Sequence, residues 1–146
     1  MAKILILEPE KDTAADLSDA IQRAGLSTHV LGTGGEVVAR FQEVEPALVI
    51  LDLAIDEGQG LEVCRTIRGT PGGELVPILL VGTGEEGVKN FGDALAEGGD
   101  YYFAKPLDLQ KVVSKIRTYV GVERDSPTQV APFPAAPGRG PREGGG

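Results

Sequence analysis

The chain has 146 residues, 41% of them hydrophobic and 25% charged, and 14 basic against 22 acidic side chains leave a formal net charge of -8. A field of that sign repels phosphate backbones and anionic lipid surfaces, so neither nucleic acid nor membrane is an expected partner. A single cysteine excludes an internal disulfide, a structural zinc site and an iron–sulfur cluster.

The chain opens on Lys3-Ile4-Leu5-Ile6-Leu7 and breaks into charge at Glu8, too early for a secretion signal. No apolar run reaches membrane length, and the expected location is the cytoplasm. After Glu8-Pro9-Glu10, Leu17, Ile21 and Ala24 recur at helical spacing. The run Ser27–Leu31 follows, then Thr33-Gly34-Gly35-Glu36, which reads as a capping box ahead of Val37, Val38 and Phe41. Leu48-Val49-Ile50-Leu51 leads into Asp52, and Cys64 falls on the next helix as a small packing residue. Ile78-Leu79-Leu80-Val81 runs into Gly82-Thr83-Gly84, and Tyr101-Tyr102-Phe103 into Lys105-Pro106. Asp108 is the expected cap of a last helix carrying Leu109, Val112, Val113, Ile116 and Val120.

Three of the five apolar runs are nearly continuous in Ile, Leu and Val, as strands covered on both faces of a parallel sheet must be. Five repeats of strand then helix predict an α/β doubly wound sheet with right-handed crossovers over residues 1–121. Residues 122–146 hold five of the ten prolines and only three sizeable apolar side chains. Such composition cannot offset its ordering entropy, and the expectation is a flexible tail or linker.

In open parallel sheets, ligands bind beyond the carboxyl ends of the strands. Glu8, Glu10, Asp52, the Gly82-Thr83-Gly84 turn and Lys105 are therefore expected on one edge. A plainer reading also exists, with Asp52 capping the turn after its strand and Lys105 neutralising it. Gly82–Gly87 fits G-x-G-x-x-G, but it follows the fourth strand and carries Glu85 and Glu86, which would face an anionic pyrophosphate. The lone His29 has no acid or cysteine near it in sequence, and no catalytic role is expected for it.

Three segments together resemble the receiver domain of bacterial response regulators in its single-domain, chemotaxis (CheY-like) form. They are Lys3–Glu8; Pro46–Leu53 with Gly60 eight residues past Asp52; and Glu97-Gly98-Gly99-Asp100-Tyr101-Tyr102-Phe103-Ala104-Lys105-Pro106-Leu107. The resemblance covers residues 3–120. It implies a flavodoxin-like five-stranded sheet of order 2-1-3-4-5 with five helices. It further implies that Asp52 accepts a phosphoryl group from a histidine kinase or phosphotransfer protein and that Lys105 holds a phosphoryl oxygen. A cis bond at Lys105-Pro106 would aim that lysine inward. Thr83 and Tyr102 would form the hydroxyl-and-ring switch. Mg²⁺ would be held by Asp52, Glu8 and the backbone carbonyl of Ala54, with Glu10 as a further candidate. An output protein would dock on the fourth helix, fifth strand and fifth helix. On this reading the chain is a switch rather than an enzyme, with at most self-catalysed phosphotransfer and autodephosphorylation.

Three departures bear on that implication. Pro9 falls where the family places a metal-ligating acid, and proline offers no side-chain oxygen; Mg²⁺ binding should be weak. Asp56 stands where the family has proline, with Glu57 next; both are candidate stand-ins or solvated loop residues. Counting back from Lys105 puts Thr83 at the switch position, whereas counting forward from Pro77 puts Gly82 there. The alternative to a working switch is a pseudo-receiver, a protein-docking module that has lost phosphorylation through Pro9.

Overall fold

The computed structural model describes residues 2–121; the expected tail, 122–146, lies outside them. Five strands form one all-parallel sheet in the order β2-β1-β3-β4-β5. They are β1 (Lys3–Leu7), β2 (Ser27–Leu31), β3 (Leu48–Asp52), β4 (Ile78–Gly82) and β5 (Tyr101–Ala104). The helices are α1 (Lys11–Arg23), α2 (Val37–Val44), α3 (Ile55–Gly58), α4 (Gly60–Arg68), α5 (Phe91–Ala96) and α6 (Leu109–Val120). The expected sheet order is the one found. The helix count exceeds the expected five by α3, a single turn whose Asp56 and Glu57 are left-handed at φ 53° and 60°.

Alternation along the strands sends successive side chains to two separate cores. Leu5, Leu7, Val49, Leu51 and Leu80 pack with Val37, Phe41, Val63, Ile67 and Ala94 under α2, α4 and α5. Ile4, Ile6, Ile50, Leu79 and Val81 pack with Leu17, Ile21, Val112 and Ile116 under α1 and α6. The central strands β3 and β4 are buried at every position. The edge strand β2 is not, and its His29 and Val30 are exposed, which explains its more polar sequence.

Asp108 caps α6 as expected, its carboxylate accepting the N–H groups of Gln110 and Lys111. The capping box expected at Thr33–Glu36 does not form; the residue before α2 is Glu36, and no side chain caps it. The Gly34 N–H instead donates to the Asp56 carboxylate across the molecule, at 3.2 and 3.0 Å. A long-range acid thus fixes the backbone ahead of α2 where no local side chain caps it. Gly60 follows the left-handed turn because a Cβ there would lie 2.5 Å from the Leu53 Cα. That close approach lets α4 pack directly under the end of β3.

Candidate functional site

The carboxyl ends of β1, β3 and β5 bring Glu8, Asp52 and Lys105 together. Asp52 is 1% and Glu8 4% exposed, an unusual depth for carboxylates. Asp52 Oδ1 accepts the Ala54 N–H at 2.8 Å. Its Oδ2 lies 2.7 Å from Lys105 Nζ, yet out of line for a hydrogen bond, and Oδ2 is buried with no hydrogen-bond partner. Both elements of the plainer reading, a turn cap and an ion pair, are therefore real, and they leave one oxygen of Asp52 unsatisfied. The Lys105-Pro106 bond is cis.

Burial first, then the close approach and charge of Asp52, push the Glu8 carboxyl up from 4.5 to about 7. Burial alone would lower the Lys105 ammonium, but its close contact with the Asp52 carboxylate and that group's charge, with Glu8 and Glu86 behind, raise it. Near neutrality the pocket thus holds a fixed cation, the Asp52 carboxyl and a Glu8 that gains or loses a proton.

This geometry sets a pH dependence of stability. Glu8 binds its proton more tightly folded than unfolded, so its stabilising share is complete below pH 4.5 and is lost as pH rises through about 7. Over that window the loss is about 3 kcal/mol. Urea unfolding in chelator at several pH values should show the slope in wild type and its removal in Glu8→Gln; an unchanged slope in that variant would assign it elsewhere.

Other sequence candidates lie apart. Glu8 Oε2 accepts the Glu10 N–H at 3.0 Å, but the Glu10 carboxylate turns to Thr13 Oγ1 at 2.9 Å. Asp56 is held on Gly34. Neither contributes a third acid, and among the described residues no cluster of three or more His, Cys, Asp or Glu could hold a metal. The Ala54 carbonyl accepts the Gly58 N–H at 3.1 Å.

Gly82 is the last residue of β4, opposite Ala104, and its carbonyl accepts the Lys105 N–H at 2.9 Å. Thr83 is the exposed residue just beyond. Its hydroxyl donates to Glu86 Oε2 at 2.9 Å. Tyr102 is half-buried, packed on the α2/α4/α5 core, and burial and the Glu86 charge raise its phenol. Glu86, which the sequence presents only as an acid unsuited to a pyrophosphate, is the residue that holds the Thr83 hydroxyl. The signal was a glycine at the strand end with an acid four residues on, within reach back across the turn.

The glycine pattern at 82–87 does not open a helix, since α5 begins only at Phe91. Its Thr83 N–H is already taken by Glu86. Cys64 is buried and burial raises its thiol, as a packing residue requires.

The model of the response regulator receiver domain matches residues 4–117. The chain belongs to the response regulator receiver family. Among its relatives is the DNA-binding response regulator MtrA of Mycobacterium tuberculosis H37Rv, 28% identical over 128 residues, covering 88% of this chain and 54% of that protein. The phosphate regulon transcriptional regulatory protein PhoB of Rhizobium meliloti is 31% identical over 118 residues, covering 80% of this chain and 51% of that one. The chain spans about half the length of the curated relatives it matches.

The solved chemotaxis protein CheY4 of Vibrio cholerae superposes with a TM-score of 0.72 at 22% identity, covering 82% of this chain and 98% of that one. That likeness establishes the fold. Because these curated relatives are named as DNA-binding and transcriptional regulators, the exclusion of nucleic acid drawn from net charge does not extend to a whole protein of that kind. Among the described residues no helix is long and apolar enough to cross a membrane.

Proposed function

We propose that this receiver domain is a phosphorylatable switch whose phosphoacceptor is Asp52. The observation that carries the reading is the pairing of a buried carboxylate oxygen, unsatisfied by hydrogen bonds, with Lys105 at 2.7 Å. A histidine kinase or phosphotransfer protein would present a phosphohistidine. An Asp52 oxygen would form the new O–P bond as the donor's N–P bond breaks and the imidazole takes up a proton. Lys105, already oriented, would offset charge on a phosphoryl oxygen.

Glu8 and Asp52 are the residues that would hold Mg²⁺, which in such pockets offsets phosphoryl charge. Two carboxylates with one orphaned oxygen fit that ion, but Pro9 leaves no third acid, so the affinity expected is low. Thr83 and Tyr102 would couple the modified Asp52 to the α5–β5–α6 face. There Phe91 meets Tyr101 at a tilt and Tyr101 meets Phe103 edge-on, at centroid distances of 5.4 and 5.0 Å, and Lys115 sits 4.2 Å over the Tyr101 ring. Phe91 is 48% exposed, a surface suited to a protein partner. The unit that acts is residues 1–121; its place is the cytoplasm.

The test is incubation with a small phosphodonor and Mg²⁺, followed by intact mass. A single adduct, labile to hydroxylamine as an acyl phosphate is, supports the reading. Absence of an adduct at any Mg²⁺ concentration would favour the second reading, a pseudo-receiver that docks proteins without phosphorylation. Pro9 and the lack of a three-acid cluster among the described residues are what speak for it.

A further inference from the structure

The β4–α5 turn carries an anion of the protein's own. Glu86 folds back so that Oε1 and Oε2 accept the Thr83 N–H at 3.1 and 3.3 Å, and Oε2 also accepts the Thr83 hydroxyl at 2.9 Å. The same hydroxyl accepts the Glu85 N–H at 3.3 Å. A hydroxyl has one proton to donate, and here Glu86 holds it.

Room for the carboxylate is made by Gly82. A Cβ at that position would lie 2.7 Å from Glu86 Oε1 and 3.2 Å from Leu53 Cδ1. Any side chain at the end of β4 would therefore expel Glu86. Gly82 is not in the left-handed region, so its backbone does not by itself demand glycine; the acid's position does. The Glu86 charge is also felt at both neighbours of the pocket, raising the Lys105 ammonium and the Tyr102 phenol.

We propose that Glu86 is a positioning residue acting through Thr83: its carboxylate is an internal stand-in for a phosphoryl oxygen, and it must withdraw before the Thr83 hydroxyl can turn to a modified Asp52. The inference rests on the phosphoacceptor reading above. The two states are mutually exclusive because one hydroxyl proton cannot serve both anions. Release of Glu86 frees the Thr83 N–H and O–H and removes a negative charge that repels the incoming group. The consequence is a switch held off by its own acid, with Gly82 and Glu86 acting as a matched pair.

Two independent variants release the contact. Glu86→Ala deletes the carboxylate, and Gly82→Ala displaces it by occupying its space. Beryllofluoride with Mg²⁺, a stable mimic of the phosphoryl group, is the probe, followed by amide NMR of the full chain. Each variant should bind the mimic about tenfold more tightly than wild type, the size of one hydrogen bond to a charged group. Glu86→Gln, which keeps an acceptor for Thr83 but loses the charge, should fall between. In Thr83→Ala/Glu86→Ala the gain should shrink, because the freed hydroxyl is no longer present to collect it.

Without ligand, Thr83 amide exchange should accelerate in both single variants, which shows that the contact was made and broken. If wild type binds the mimic and neither single variant binds it more tightly, the proposal is overturned and the phosphoacceptor reading stands. A full gain that persists without the Thr83 hydroxyl overturns it as well. If no protein, wild type included, binds at millimolar mimic, the phosphoacceptor reading falls and the proposal with it.

Discussion

Arg68→Ala is expected to lower the unfolding free energy by about 3 kcal/mol. The guanidinium donates to the Gly98 carbonyl at 2.9 and 2.6 Å, to Gly73 at 3.0 Å and to Val76 at 2.6 Å. It also pairs with Asp100 at 2.9 Å, and Asp100 in turn accepts the Ile78 N–H at 2.8 Å. One side chain on α4 therefore joins the loop entering β4 to the loop entering β5. Truncation strands several carbonyls and a carboxylate at once, and it is the unmade bonds, more than the lost ones, that cost stability. At 23% side-chain exposure the pair is partly screened, which keeps the figure below that of a fully buried ion pair. Arg68→Lys should recover little, since an ammonium lacks the planar fork that spans these acceptors. Urea unfolding measures both, and a loss under about 1 kcal/mol for the alanine variant would show that the loops hold without the clamp.

Asp52→Asn should slow phosphorylation by about a thousandfold or more, because the amide removes the attacking oxygen. The fold should survive, since the asparagine carbonyl can still accept the Ala54 N–H that Asp52 Oδ1 accepts now. A second consequence separates this pocket from a surface ion pair. Burial is the largest cause of the raised Glu8 titration and Asp52, by its close approach and charge, adds to it, so the variant should move that titration from about 7 part of the way back toward 4.5. Carbonyl-detected NMR titration of Glu8 reads that directly. A phosphoryl adduct retained by the variant would remove Asp52 from its proposed role.

What the sequence made legible follows from what patterning encodes. Continuous Ile/Leu/Val runs reveal burial on both faces, and so Leu48–Leu51 and Ile78–Val81 were readable as central strands, with Asp52 and Lys105 following at the edge where chemistry collects. Patterning does not encode which way a polar side chain turns. The Thr33–Glu36 box does not form; the backbone there is held instead by Asp56, distant in sequence, on the Gly34 amide. Asp56 and Glu57 adopt left-handed angles that Asp visits only occasionally and Glu rarely, and no helical spacing marks α3 in the sequence. Counting does not choose between Gly82, the last residue of β4, and Thr83 just beyond it, because the spacings from Pro77 and from Lys105 disagree by one residue. Their geometry depends on Glu86, whose role exists only once the turn has folded back.

The most direct measurement of the central claim is an amide NMR titration of wild type with Mg²⁺ and beryllofluoride, with Asp52→Asn as control. Saturable shifts at Asp52, Lys105, Thr83 and Tyr102, absent from the variant, are the expected result and would show a working pocket despite Pro9. No shift at millimolar ligand, or the same shifts in Asp52→Asn, would contradict it.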